Sequence, residues 1–163
     1  MSAGTSPRRL GLGLLAGAAA GAAGTTALNG VTYLDMAIRG RGTSTAPEDT
    51  VTTLADKTHT TIPGDEETRS NRIAGLGPLM GLVTGIGVGA ALGLAQAAGW
   101  RPGVAASALT TGMAAMVGSD VPMAALGISD PKTWAAKDWL ADAVPHLAYG
   151  LVTAAVVRAV DTG

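Results

Sequence analysis

Residues 73–100 read IAGLGPLMGLVTGIGVGAALGLAQAAGW, without one charged side chain. At about 1.5 Å per residue, a helix over this stretch crosses a bilayer core of roughly 30 Å with tilt to spare. Gly77, Gly81, Gly85, Gly89 and Gly93 stand four residues apart in it. Helical residues at i, i+4 and i+8 stay near one side, so these glycines leave a strip of bare backbone. In lipid such a strip lets a second helix come close, because packing rather than the hydrophobic effect joins helices there. The stretch therefore predicts a membrane-crossing helix with a tightly packed neighbour.

The composition agrees. The chain has 163 residues, of which 14% are charged, against roughly 25% in a typical soluble domain. Its 24 glycines lie mostly inside apolar runs, and phenylalanine is absent, which points to thin, closely packed helices rather than a flexible linker. A net charge of −1 creates no global field for nucleic acid. The absence of cysteine excludes disulfides, thiolate metal sites and cysteine nucleophiles.

Outward from residues 73–100, the chain divides into four predicted spans. The first covers about 10–38, behind Arg8 and Arg9, and repeats the glycine theme at Gly13, Gly17 and Gly21, continued by Thr25 and Asn29. A basic start before an apolar run also fits a secretory signal, but this run is too long for a signal core and further spans follow. The second covers 73–98, with Pro78 in its first turns. The third covers 102–126 and ends or kinks at Asp120 and Pro122. The turn at 99–103 makes the second and third an antiparallel hairpin. The fourth covers 142–160, and one domain holds them all.

Residues 40–71 form the one long polar loop. Within it, Ser44-Thr45-Ala46-Pro47-Glu48-Asp49 reads as a helix start, with a hydroxyl cap, an early proline and acids in the first turn. Val51, Leu54 and Ala55 give that helix an apolar side, while Ile62-Pro63-Gly64-Asp65 is a turn. Asp130-Pro131 opens a short interfacial helix over 131–141, with Trp134, Trp139, Lys132 and Lys137 suited to the membrane surface. With four spans, Arg39, Arg41, Lys57, Arg69, Arg72, Lys132 and Lys137 fall on one side, and Arg8, Arg9, Arg101 and Arg158 on the other. The richer side predicts a cytoplasmic loop 40–71 and external termini.

Several stretches resemble a family of small, uncharacterised bacterial inner-membrane proteins. They are Gly24-Thr25-Thr26-Ala27-Leu28-Asn29, Thr32-Tyr33-Leu34-Asp35 leading to Arg39-Gly40-Arg41, Ile62-Pro63-Gly64-Asp65-Glu66, and His146-Leu147-Ala148-Tyr149-Gly150. The resemblance implies a multi-pass helical membrane protein, carries no assigned activity and transfers no functional residue.

Ionisable groups at membrane depth are where chemistry would sit. Each costs roughly 2.5–3.5 kcal/mol at a span centre on insertion scales, so it faces protein or water. Asp120 precedes Pro122, which frees a backbone carbonyl one turn earlier. A carboxylate beside such a carbonyl is the beginning of a proton or cation site, and the plain alternative is a helix that ends at Ser119 with Asp120 at the interface. Asp138, Asp142 and His146 fall at i, i+4 and i+8. A carboxylate one turn from an imidazole makes a proton switch or offers metal ligands. The plain alternative has Asp142 capping the fourth span. No further ligand stands out, so no metal and no cofactor are expected. Asn29 suggests an interhelical hydrogen bond, Asp35 an ion pair with Arg39, and His59 a solvated side chain. Gly85, Gly87 and Gly89 resemble a nucleotide loop on paper only, since they lie mid-span without strand or aqueous approach.

The sequence thus predicts an all-α integral membrane protein of four spans packed through glycine seams, with no enzymatic motif. Its expected role is structural or accessory, in contact with the bilayer and with a second copy or a membrane partner. A pore or proton-coupled transporter using Asp120, Asp142 and His146 is the alternative, and a membrane enzyme stands third.

Overall fold

The computed structural model describes residues 6–160, which are helical with no strand among them. Five α-helices follow in order: α1 Pro7–Arg39, α2 Ala46–Lys57, α3 Glu66–Ala97, α4 Val104–Ala125 and α5 Ala136–Val160, with one 3-10 turn at Pro131–Thr133. Four of them, α1, α3, α4 and α5, are long and apolar enough to cross a membrane. Of residues 1–7, only Ser6 and Pro7 are among those described. Ser6 accepts from Arg9 N and Pro7 opens α1.

Local chemistry sets the ends. Asp65 caps α3 by accepting from Thr68 N at 2.9 Å, so that helix starts two turns before the uncharged stretch and carries Glu66 and Glu67 in its positive first turn. α2 begins where Ser44 and Thr45 suggest, although Thr45 gives no cap: its hydroxyl donates to Asp49 (3.0 Å), and Ser44 accepts from Ala46 N (3.2 Å). Thr50, Val51 and Ala55 are its buried residues, whereas Leu54 is exposed. α2, α3 and α4 close with six-to-one hydrogen bonds, Thr60 N to Ala55 O, Trp100 N to Ala95 O and Ile128 N to Met123 O. Each bond turns on a left-handed residue, respectively His59, Gly99 and Gly127.

Three expectations are corrected. There is no separate helix over 131–141. Asp130 caps only the 3-10 turn, accepting from Lys132 N at 3.0 Å, and α5 begins at Ala136 and runs unbroken to Val160. Its start is held by Asp138, which accepts from Ala135 N at 3.1 Å, so Asp142 lies inside the helix and caps nothing. α4 does not end at Ser119: it continues through Asp120 and Pro122 to Ala125, close to the expected limit of 126. Asn29 is exposed, while Thr25 one turn earlier is buried and donates to Gly21 O at 2.9 Å.

α1 packs against α3 on one side and α5 on the other, and α5 packs against α4. α3 and α4 are joined by a short turn, yet touch far less than these pairs. α2 lies across the start of α3, with Pro47 and Glu48 seated over Gly77. The interior is built from small side chains, among them Ala20, Ala108, Ala115, Thr153 and Ala154, with Tyr149 the largest fully buried one. Large apolar side chains point outward: Leu15, Ile38, Val83, Leu109 and Met113 are each more than half exposed.

Candidate functional site

Two features of the bundle follow from single residues: where backbones meet, and where buried polar groups gather. At the α1–α3 crossing, glycine faces glycine. A Cβ on Gly13 would lie 2.7 Å from Gly93 O, and one on Gly89 would lie 2.5 Å from both Gly17 O and Gly21 Cα. Both are closer than a real Cβ comes to backbone. Gly21 and Gly85 complete the row. Gly77 and Gly81, read from the sequence with the same strip, do not join it. Gly77 faces Pro47 and Glu48 of α2, and Gly81 meets nothing within 4 Å. The reason is the helix pitch: four residues advance about 400°, so the row drifts roughly 40° per step, too far for five members to share one face. The same drift carries Asn29 away from the α1 row.

The sequence reading missed a second close approach. A Cβ on Gly112 of α4 would lie 2.7 Å from His146 O of α5, and one on Gly150 would lie 2.8 Å from Gly112 N. Ala108 with Gly112, and Gly150 with Ala154, are small residues four apart, which was the available signal. On its other side α5 presents Tyr149 and Thr153 to Gly24 of α1. The Tyr149 hydroxyl reaches across the bundle and donates to Gly85 O of α3 at 2.5 Å.

The contact at Gly112 brings His146 to the polar end of α4. His146 Nδ1 lies 2.9 Å from Asp142 O and 3.2 Å from Asp142 Oδ1. Its Nε2 lies 3.5 Å from the Ser119 hydroxyl, which donates to Met116 O at 2.9 Å and also approaches Asp120 Oδ1 (3.4 Å). Asp120 is 8% exposed, and the His146 side chain 12%. Asp142 Oδ2 is buried and meets no ordinary donor. The structure thus joins Asp120, Asp142 and His146, with Ser119, read from the sequence only as an alternative helix end, as a fourth member. Asp138 stays outside, committed to the helix start. No group of three or more histidine, aspartate or glutamate side chains among the described residues is arranged to hold a metal ion.

Asp35 pairs with Arg39 at 3.4 Å and, more closely, with Arg41 at 2.5 Å. Arg41 reaches back from beyond the helix end, which Gly40 turns in the left-handed conformation.

Together these features define an all-helical protein with four helices long and apolar enough to cross a membrane and one buried polar cluster between α4 and α5. Scans against protein-family models, curated proteins and solved structures found no match for the chain.

Proposed function

We propose that this chain is a multi-pass integral membrane protein of structural or accessory role, its four spans held by the α1–α3 and α4–α5 glycine contacts. One observation carries the reading: small residues fill the interior while the large apolar ones face outward. Between 22% and 33% of the most apolar window of each long helix is buried. A water-soluble bundle hides its leucines and valines, whereas lipid solvates them and leaves close packing of small residues to hold the helices. The cell membrane, with loop 40–71 on the cytoplasmic side, is the location the charge balance favours. The outward apolar faces are open to lipid, to a second copy or to a membrane partner. In a cell expressing the chain, it should resist extraction by high salt or carbonate and yield to mild detergent. Release by carbonate alone would overturn the membrane reading.

A second reading, a proton pathway, is favoured by the α4–α5 cluster. Buried ionisable groups are costly in a bilayer and, where kept, often mark proton relays. Asp120, Asp142, His146 and Ser119 form a continuous chain of groups that can hold and pass a proton. The two readings separate in liposomes loaded with a pH-sensitive dye. A scaffold leaves an imposed pH gradient at the rate of empty vesicles. A proton pathway collapses it, and both Asp120→Asn and His146→Phe slow that collapse at least tenfold.

A further inference from the structure

A groove of about 460 Å3 runs between the end of α1 and the start of α5. Its walls divide by chemistry. Arg39 and Lys137 stand at one end, while Val31, Leu140, Val144 and Pro145 line the rest. Asp35 at the rim is already engaged by Arg39 and Arg41, so the three cations against one carboxylate leave a local excess of positive charge. The Trp134–Trp139 pair, whose ring centroids are 5.1 Å apart, stands at the same start of α5 as Lys137, and Trp139 is 42% exposed. Paired tryptophans beside lysine and arginine mark the headgroup level of a bilayer. A site that is cationic at headgroup level and apolar one turn deeper matches the two halves of a phospholipid. Basic pockets between spans on the cytoplasmic side recognise anionic headgroups by this chemistry.

We propose that the α1–α5 groove binds an anionic phospholipid, its phosphate between Arg39 and Lys137 and the head of an acyl chain along Val31, Leu140 and Val144. Asp35, paired with both Arg39 and Arg41, holds the Arg39 guanidinium at the groove end. The inference rests on the membrane reading above. A zwitterionic lipid fills the apolar part equally well but brings its own cation to the phosphate, and so gains less from the two side chains.

The test is native mass spectrometry of the full chain, purified in mild detergent and exchanged with phosphatidylglycerol or phosphatidylcholine of identical acyl chains. The wild type should retain phosphatidylglycerol in preference. A cation at an anionic surface contributes about a fivefold factor, so Arg39→Gln with Lys137→Gln should lower that preference about twenty-five-fold. Lys137→Gln alone lies on an exposed part of α5, leaves the Asp35 pairs intact and should lower it about fivefold. Lys137→Arg should keep it. Arg8→Gln with Arg158→Gln, at the far end of the bundle, should leave it unchanged. Equal retention of both lipids by the wild type, or an equal loss in the far-end variant, would overturn the proposal. So would displacement of the lipid by millimolar inorganic phosphate, which would make the groove a free-anion site. A chain that needs detergent yet shows no headgroup preference defeats this inference alone, whereas one that stays soluble without detergent defeats the membrane reading as well.

Discussion

At Gly89 the absence of a side chain is a structural requirement, while at Gly81, two turns earlier on the same helix, it is not. A methyl on Gly89 would press on Gly17 O and Gly21 Cα, both backbone atoms that cannot swing aside. Gly89→Ala should therefore force α1 and α3 apart and destabilise the bundle by about 1–3 kcal/mol, the usual cost of overpacking. Gly81 has open space around it, so Gly81→Ala should be neutral, or stabilising by up to about 1 kcal/mol through helix propensity. Thermal unfolding in detergent compares the two directly, and equal effects would mean that the α1–α3 approach does not hold the fold. Tyr149 gives a polar counterpart. Tyr149→Phe keeps the ring and removes the donor to Gly85 O, so it should cost about 1 kcal/mol in the same measurement.

At the scale of the element, the helix ends carry most of what can be tuned without touching the packing. Asp65 accepts hydrogen bonds from the Thr68 side chain and backbone, which hold its carboxyl below the ordinary value of 3.8. A folded-state value below the unfolded one stabilises above the unfolded value, and that stability is lost as pH falls through the folded value. The first turn of α3 should accordingly fray as pH drops below about 4, seen as faster amide exchange at Thr68 and Arg69. Asp65→Asn keeps a cap that does not titrate and should remove this pH dependence. His59 ends α2 with a φ of 53°, a conformation that costs a residue with a Cβ about 1 kcal/mol or more. His59→Gly should therefore raise the stability of α2 by roughly 1 kcal/mol, which hydrogen exchange at Thr58 and Thr60 would register. No gain there would mean that the end of α2 is frayed rather than capped.

For the whole molecule, the order of contacts matters more than the order of the chain. α1 sits between α3 and α5, the helices that lie far from it in sequence, while α3 and α4 are consecutive and touch little. The α1–α3 glycine contact therefore joins distant segments, whereas the α4–α5 contact joins consecutive helices, and the bundle should lose α1 only by unfolding as a whole. On the proposed membrane reading, α3 crosses the bilayer once, so the loops at its two ends face opposite sides. A cysteine at Thr53 in α2 and one at Gly103, where a Cβ meets nothing within 4 Å, lie at opposite ends of α3. In intact cells a membrane-impermeant thiol reagent should label the Gly103→Cys chain and spare the Thr53→Cys chain. The opposite pattern would invert the orientation, and labelling of both would break the four-span arrangement.

The four long helices themselves were legible because each rests on a one-dimensional signal, a long uncharged run; the caps at Ser6 and Asp65 went unread, so α1 and α3 begin ahead of the expected 10 and 73. Asp130-Pro131 misled for a related reason, since a cap and a proline open a 3-10 turn as readily as a helix. The signal for the true start of α5, Asp138 three residues after Ala135, was read instead as part of a ligand row. What chain order could not assign was which face of each helix meets which neighbour. A four-residue glycine repeat drifts around the helix, so Gly85, Gly89 and Gly93 reach α1, Gly77 reaches α2 and Gly81 reaches nothing. The candidate site was half legible on the same ground. Asp142 and His146 share a helix and a spacing, which local geometry dictates. Their meeting with Asp120 and Ser119 depends on the backbone approach at Gly112, and only the packing of α4 on α5 decides that.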